Sequence, residues 1–123
     1  MTYTDNQAYD KYFNNGYNYI DAKVLADYWG ESIGEAKLTL GYKMLNFGPQ
    51  DGRYHVSQAR SRATQGDFWD WPVSYEDGGY SYNDTEILGN YWGGGPSNAK
   101  MKLARNLING NDSWNRAALN AAR

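Results

Sequence analysis

GYNYIDAKVLADYWG at residues 16–30 returns as GYSYNDTEILGNYWG at residues 79–93, a constant 63 positions further along the chain. The alignment continues without a gap to residues 60 and 123, and 15 of its 45 positions are identical. A repeat of this kind means that one structural unit occurs twice. The sequence therefore predicts an internal duplication, with a first repeat unit and its N-terminal arm at 1–63 and a second unit at 79–123.

The apolar residues of each copy are spaced as in three short helices. Val24, Leu25, Tyr28 and Trp29 form one stripe, because positions i, i+1, i+4 and i+5 share a helix face. We predict first helices at about 22–29 and 85–92, second helices ending near 46 and 109, and third helices at about 53–63 and 114–122.

The ends of the first helices carry matching signals. Asp21 and Asp84 stand where an N-cap would accept hydrogen bonds from free N–H groups. Gly30 and Gly93 follow the last turn, where a left-handed glycine commonly ends a helix. We expect the tryptophan before each of these glycines to be largely buried.

The predicted fold class is all-α, with two tandem pseudo-symmetric three-helix units packed as one compact domain. A unit of about 60 residues buries too little apolar surface to be more than marginally stable alone. We therefore expect the two copies to share a core about a pseudo-two-fold axis, in the manner of a homodimer.

Residues 64–78 form the least repetitive segment and are predicted to be an aromatic and acidic linker. Phe68, Trp69 and Trp71 alternate there with acidic side chains, and Pro72 prevents a regular helix. The rings either pin the linker to the core or form an exposed patch that a partner recognises.

The composition excludes several kinds of site. The chain has no cysteine, so disulfides and thiolate metal sites are ruled out. Its single histidine, His55, corresponds to Ala118 in the second copy, so the usual nucleophile–base triads lack their parts. We predict no metal, no cofactor and no catalytic activity, with a small glycosidase or sugar-binding protein as a remaining alternative.

The sequence also indicates where in the cell the protein is located. No apolar stretch approaches the length of a membrane span, and the N-terminal MTYTDNQAYDKY is too polar for a secretory signal. The predicted location is cytoplasmic, with no membrane partner.

The net charge of −2 is unevenly distributed. Residues 1–96 hold 7 basic and 13 acidic side chains, whereas residues 97–123 hold Lys100, Lys102, Arg105, Arg116 and Arg123 against a single acid. This asymmetry predicts a basic docking surface on the second copy, unless these side chains are merely solvated.

Arginine recurs at matched positions in the two copies. Arg53 and Arg60, like Arg116 and Arg123, lie seven residues apart and hence on one helical face. We interpret them either as an anion-binding pair in each copy or as structural groups. In the structural interpretation, they stack on aromatic rings or pair with the aspartates at 21 and 84.

Residues 25–36 resemble the helix-turn-helix motif of DNA-binding proteins. Ala26, Gly30 and Ala36 occupy its small, glycine and apolar positions, and residues 89, 93 and 99 repeat the spacing. The resemblance implies two helices that cross closely. Thr39 departs from the motif at a position that is usually apolar, and the first recognition helix would open with glutamates that repel phosphate.

The sequence thus favours a non-catalytic binding or assembly module that acts through protein–protein contacts, with either a protein partner or a second copy of the chain. The candidate binding residues are Arg53, Arg60, Trp69, Trp71, Lys100, Lys102, Arg105, Arg116 and Arg123. The alternative is a nucleic-acid-binding tandem helix-turn-helix protein that uses the basic second repeat.

Overall fold

The protein is all-α in a computed structural model that describes residues 2–123. These residues form seven α-helices and no β-strand. The helices are α1 (Asp5–Asn14), α2 (Tyr19–Trp29), α3 (Ile33–Phe47), α4 (Pro49–Ala63), α5 (Tyr82–Trp92), α6 (Gly95–Ile108) and α7 (Asp112–Ala122). Short 3₁₀ turns lie at Phe68–Asp70 and Tyr75–Gly78. The chain divides into two compact units, the first ending at Ala63 and the second starting at Thr64.

In the first unit, α3 packs against α1, α2 and α4. The side chains of Leu40 and Met44 on α3 are almost completely buried, together with Leu25 on α2. Helix α1 lies in the segment that the sequence assigned to an N-terminal arm. A capping box between Thr4 and Gln7 starts it, and Ala8 and Tyr12 on its inner face are fully buried.

The second unit is built around α6, which packs on α5, α7 and the 3₁₀ turn Tyr75–Gly78. Its core cluster consists of Tyr80, Leu88, Ala99, Leu103 and Leu119. Residues 64–78 belong to this unit, and Val73 among them is 1% exposed. The segment therefore contributes a buried side chain to the unit.

The predicted N-caps Asp21 and Asp84 are wrong. Helices α2 and α5 begin three residues earlier, because Asn18 and Ser81 are the N-caps. Each cap accepts a hydrogen bond from the aspartate N–H three residues later, at 3.0 Å for Asn18 and 3.2 Å for Ser81. The aspartate carboxylate accepts the N–H of the cap in return, which completes a capping box.

The positive φ predicted for the glycines that end α2 and α5 is confirmed, but the two glycines differ in ψ. Gly30 is left-handed, with φ 68° and ψ 37°, as predicted. Gly93 has φ 84° but ψ 162°, so it is extended beyond the helix instead of left-handed. Gly94 and Gly95 also have positive φ, and this glycine run turns the chain directly into α6.

The deep burial predicted for Trp29 and Trp92 is wrong, because both side chains are only partly buried. The Trp29 ring lies 5.6 Å from the ring of His55 on α4. The Trp92 ring lies beneath the Lys102 ammonium, with the nitrogen 5.3 Å from the ring centre. Both tryptophan rings therefore lie at the edge of the helix core and not inside it.

Within residues 2–123, the helices fall short of the combined length and apolarity that crossing a membrane requires.

Candidate binding face on helix α6

Helix α6 buries one side and presents basic side chains on the other. Ala99, Leu103 and Leu107 follow the helical period and are 0–5% exposed. Lys102 and Arg105, three positions apart, lie on the opposite, solvent-facing side. The helix therefore holds its charges at the surface of the second unit by burying the leucines behind them.

Lys100 lies among aromatic rings. Its ammonium nitrogen is 4.9 Å from the centre of the Tyr82 ring, 5.7 Å from Tyr75 and 5.9 Å from Trp69. The negative faces of aromatic rings attract cations at these distances. The cation is thus held in place by three rings, two of which come from residues 64–78.

A cavity of about 260 Å³ opens beside Lys100. It lies between the segment 68–76 and the buried Ala104 of α6. Its lining is Phe68, Trp69, Trp71, Val73, Ser74, Tyr75, Glu76, Lys100 and Ala104. Four of these nine residues are aromatic, and the lining also carries one ammonium group, one carboxylate and the hydroxyl groups of Ser74 and Tyr75.

Arg105 lies near one ring of this cavity and lines a second cavity. Its guanidinium lies 5.6 Å from the centre of the Trp71 ring. It also lines a cavity of about 340 Å³ with Trp92, Lys102, Asn106, Trp114 and Ala118. Trp69 and Trp114 are 66% and 62% exposed, so rings on each side of α6 are open to solvent. We call this surface, made of Trp69, Trp71, Trp92, Trp114, Lys100, Lys102 and Arg105, the α6 face.

The structure therefore brings five of the predicted site residues together, namely Trp69, Trp71, Lys100, Lys102 and Arg105. The sequence reading missed Trp92 and Trp114, and it missed the tyrosines that enclose Lys100. One signal was available: four of the five tryptophans fall in residues 64–123, although this unit is the shorter of the two.

Arg60 and Arg123 make the aspartate pairs that the structural interpretation of the sequence predicted. Arg60 pairs with Asp21 at 2.9 Å, and Arg123 pairs with Asp84 at 3.2 Å. Asp84 is held by its capping box as well. The backbone hydrogen bond from Ser81 lowers the pKa of the Asp84 carboxyl group, with smaller contributions from the Ser81 side chain and the Arg123 charge.

This arrangement predicts a pH-dependent effect of Asp84→Asn. The folded-state pKa of Asp84 is lowered, so the carboxylate stabilises the protein at pH values above its unfolded pKa of about 4. We expect the variant to lose about 0.5–1 kcal/mol of unfolding free energy at pH 7, because it removes a negative charge near the N-terminus of α5 and beside Arg123. The difference should shrink as the pH falls from about 4 through the lowered folded-state pKa, because the unfolded chain then binds a proton more readily than the folded carboxylate does. Urea denaturation at several pH values measures it.

The exposed Glu86→Gln, on the same helix, is the matched control and should show no such effect. A loss for Asp84→Asn that stays constant down to acidic pH would contradict the assignment.

Arg116 is also held by structural contacts. Its guanidinium lies 4.3 Å from the centre of the Tyr80 ring and donates a hydrogen bond to the Gly78 carbonyl at 2.6 Å. It pairs with Asp112 at 3.3 Å. Arg53 is exposed on α4. Burial raises the pKa of the Tyr17 hydroxyl group, and the positive charge of Arg53 acts in the opposite direction.

His55, the single histidine, is 3.4 Å from the Asp51 carboxylate and packs against Tyr54 as well as Trp29. In the described part of the chain, no three His, Asp or Glu side chains are grouped to hold a metal ion.

Comparisons of this chain with protein-family models, with curated proteins and with solved structures returned no match.

Proposed function

We propose that the chain is a non-catalytic binding module whose α6 face binds an acidic segment of a partner protein. The observation that carries the proposal is the combination of Lys102 and Arg105 with exposed tryptophans on both sides of the same helix. Tryptophan and arginine are the residues most enriched among those that dominate the energy of protein interfaces.

The charge arrangement supports an acidic partner. Residues 97–123 contain five basic side chains and one acid, and three of the five basic groups lie on the α6 face. Basic groups at the edge of an interface steer an acidic partner and fix its orientation. The exposed rings beside them supply apolar area, so both parts of an acidic and apolar segment would find a counterpart.

Nucleic acid is the second candidate, and one observation favours it. The exposed rings of Trp69 and Trp114 stand beside cations, and bases of single strands stack on such rings. The local charge opposes it, because residues 64–96 contribute six acids and no base to the same unit. Phosphate contacts supply most non-specific affinity for nucleic acid, and acids weaken them.

Reversing two charges tests the proposal. We expect Lys102→Glu with Arg105→Glu to weaken binding of a labelled peptide that alternates glutamate with leucine by about tenfold or more, since two attractive contacts become repulsive. Fluorescence anisotropy at low and physiological salt measures the affinity. Lys43→Glu with Arg62→Glu, in the first unit, makes the same change in net charge and should leave binding nearly unchanged.

A single-stranded oligonucleotide of equal charge separates the two candidates. Tighter binding of the oligonucleotide than of the peptide, with the steeper loss in salt, would favour nucleic acid. Equal weakening of the peptide by both double variants would place its binding outside the α6 face and contradict the proposal. Sedimentation of the wild type in the same buffers tests whether the partner is a second copy.

We also propose that the chain arose by internal duplication. The first residues of α5 and α7 lie 63 positions after those of α2 and α4. The same shift relates the pair Arg60–Asp21 to the pair Arg123–Asp84. These regularities support the repeat, whereas the pseudo-two-fold packing, the linker role of 64–78 and the cytoplasmic location remain predictions.

A further inference from the structure

The two units differ in what covers their central helix. In the first unit, α1 packs on α3 so closely that a Cβ atom added at Gly41 would lie 2.0 Å from the carbonyl oxygen of Ala8. The position 63 residues later is Ala104, which has a Cβ atom. A helix in the place of α1 could not come equally close to α6 there.

The chain that would form this helix in the second unit is also broken. Residues 68–77 correspond to α1, and Pro72 within them lacks the N–H that a continuous helix needs. The segment forms two 3₁₀ turns instead, and the cavity of about 260 Å³ lies between it and Ala104. The cavity is therefore a consequence of the differences between the repeats at these positions.

The wall of the cavity is pre-formed by ring contacts. The Phe68 ring packs on Trp69 at 4.2 Å and meets Trp71 edge-on at 6.2 Å. Val73, which also lines the cavity, is buried. Rings that are held by one another lose little freedom when a ligand binds, so the apolar wall is ready to pack a flat molecule.

Two charged side chains line the cavity, Glu76 and Lys100, and Lys100 is the one that rings hold in place as the partner for a ligand charge. Its ammonium lies at the cavity and is surrounded by rings on three sides, which attract the charge but do not neutralise it. A ligand carboxylate would pair with it by a charge-assisted hydrogen bond. A cationic ligand would be repelled from rings whose faces the lysine already occupies.

We propose that this cavity binds a small planar aromatic molecule that carries a carboxylate. The cavity volume lies just below the roughly 300–1,000 Å³ of sites for drug-sized ligands. The ligand should therefore be small, with a single ring or two fused rings. The site goes beyond the proposed partner binding and does not depend on it, but it shares Trp69, Trp71 and Lys100 with the α6 face. Lys100 would hold the carboxylate, and Trp69 and Trp71 would pack on the ring.

Three probes of one shape test the charge preference: 2-naphthoate, 2-naphthylmethanol and 2-naphthylmethylammonium. We expect calorimetry to show that the carboxylate binds at least about tenfold more tightly than the alcohol, and that the ammonium compound binds most weakly. In nuclear magnetic resonance spectra, the indole N–H signals of Trp69 and Trp71 should shift, whereas that of Trp29 should stay in place.

Lys100→Met should remove the preference for the carboxylate while leaving the alcohol's affinity unchanged. Lys37→Met is the matched control, since Lys37 is the counterpart of Lys100 and lies over the single ring of Phe13 at 5.4 Å. This variant should bind all three probes like the wild type. Ala104→Leu should fill the cavity and abolish binding of every probe, with circular dichroism as the check of folding.

The proposal is overturned if the alcohol or the ammonium compound binds as tightly as 2-naphthoate, or if no probe binds. It is also overturned if Lys100→Met keeps the carboxylate preference. That variant changes a partly exposed side chain, so the test stands even if Ala104→Leu does not fold.

Discussion

Leu103→Ala is expected to lower the unfolding free energy of the second unit by about 3–4 kcal/mol. Leu103 is 0% exposed and belongs to the core cluster with Leu88 and Leu119. Its truncation removes buried apolar area and leaves a cavity that the helices close only in part. A unit of this size has a total stability of roughly 3–9 kcal/mol, so the variant should be close to unfolding at room temperature.

Tryptophan fluorescence in urea measures this loss in the right place, because four of the five tryptophans lie in residues 64–123. Met101→Ala is the matched control, since Met101 lies on the same helix but is only partly buried. It should cost about 1 kcal/mol or less. Similar losses for the two variants would mean that α6 is not oriented as the structure has it.

The helices of the repeated segment could be predicted because their signals are local. Each has a stripe of apolar residues and a glycine or polar cap within a few positions of its ends. The close crossing implied by the small residue at 89 is confirmed, since a Cβ atom added at Gly89 would lie 2.4 Å from the carbonyl carbon of Gly95. The cap assignment failed because Asn18 and Ser81 compete with the aspartates, and both members of a capping box are good N-cap residues.

Helix α1 was missed for a different reason. Ala8 and Tyr12 have helical spacing, but the helix is polar and short, and its stability depends on packing against α3. The Tyr12 hydroxyl donates to the carbonyl of Asn18, and the Tyr42 hydroxyl donates to Asp5. These hydrogen bonds form only once the fold brings their residues together, so they could not be predicted from the sequence.

The candidate site could be predicted in its charged side chains and in Trp69 and Trp71, but not in the other rings around them. Lys100, Lys102 and Arg105 were identifiable because the basic residues concentrate near the end of the chain. Their ring partners are spread over 69–92, and only the packing of α5 and of residues 68–78 on α6 brings them together. The sequence alone could not show which of the matched arginines pair with aspartates, because Asp21 and Asp84 lie 39 positions from Arg60 and Arg123.

Gly41→Ala is the second change with a large expected effect, of about 3 kcal/mol on the first unit. The new methyl group would lie 2.0 Å from the oxygen and 2.6 Å from the carbon of the Ala8 carbonyl. These are backbone atoms of a helix and cannot turn aside as a flexible side chain could. Helix α1 must move away from α3, and overpacking of this kind costs about 1–3 kcal/mol or more. Circular dichroism in urea, with hydrogen exchange of the α1 amides, measures the loss.

Gly34→Ala makes the same chemical change on the same helix with the opposite expected sign. A Cβ atom at Gly34 meets nothing closer than the Tyr9 hydroxyl at 3.9 Å. The substitution should therefore stabilise the first unit by about 0.4–1 kcal/mol, because alanine restricts the unfolded chain more than glycine does. If Gly41→Ala were also neutral or stabilising, α1 would not cross α3 at this position. The explanation of the second unit's cavity would then fail as well. It assumes that glycine at 41 lets a helix pack closely on α3, whereas the methyl group of alanine at 104 keeps a helix from packing as closely on α6.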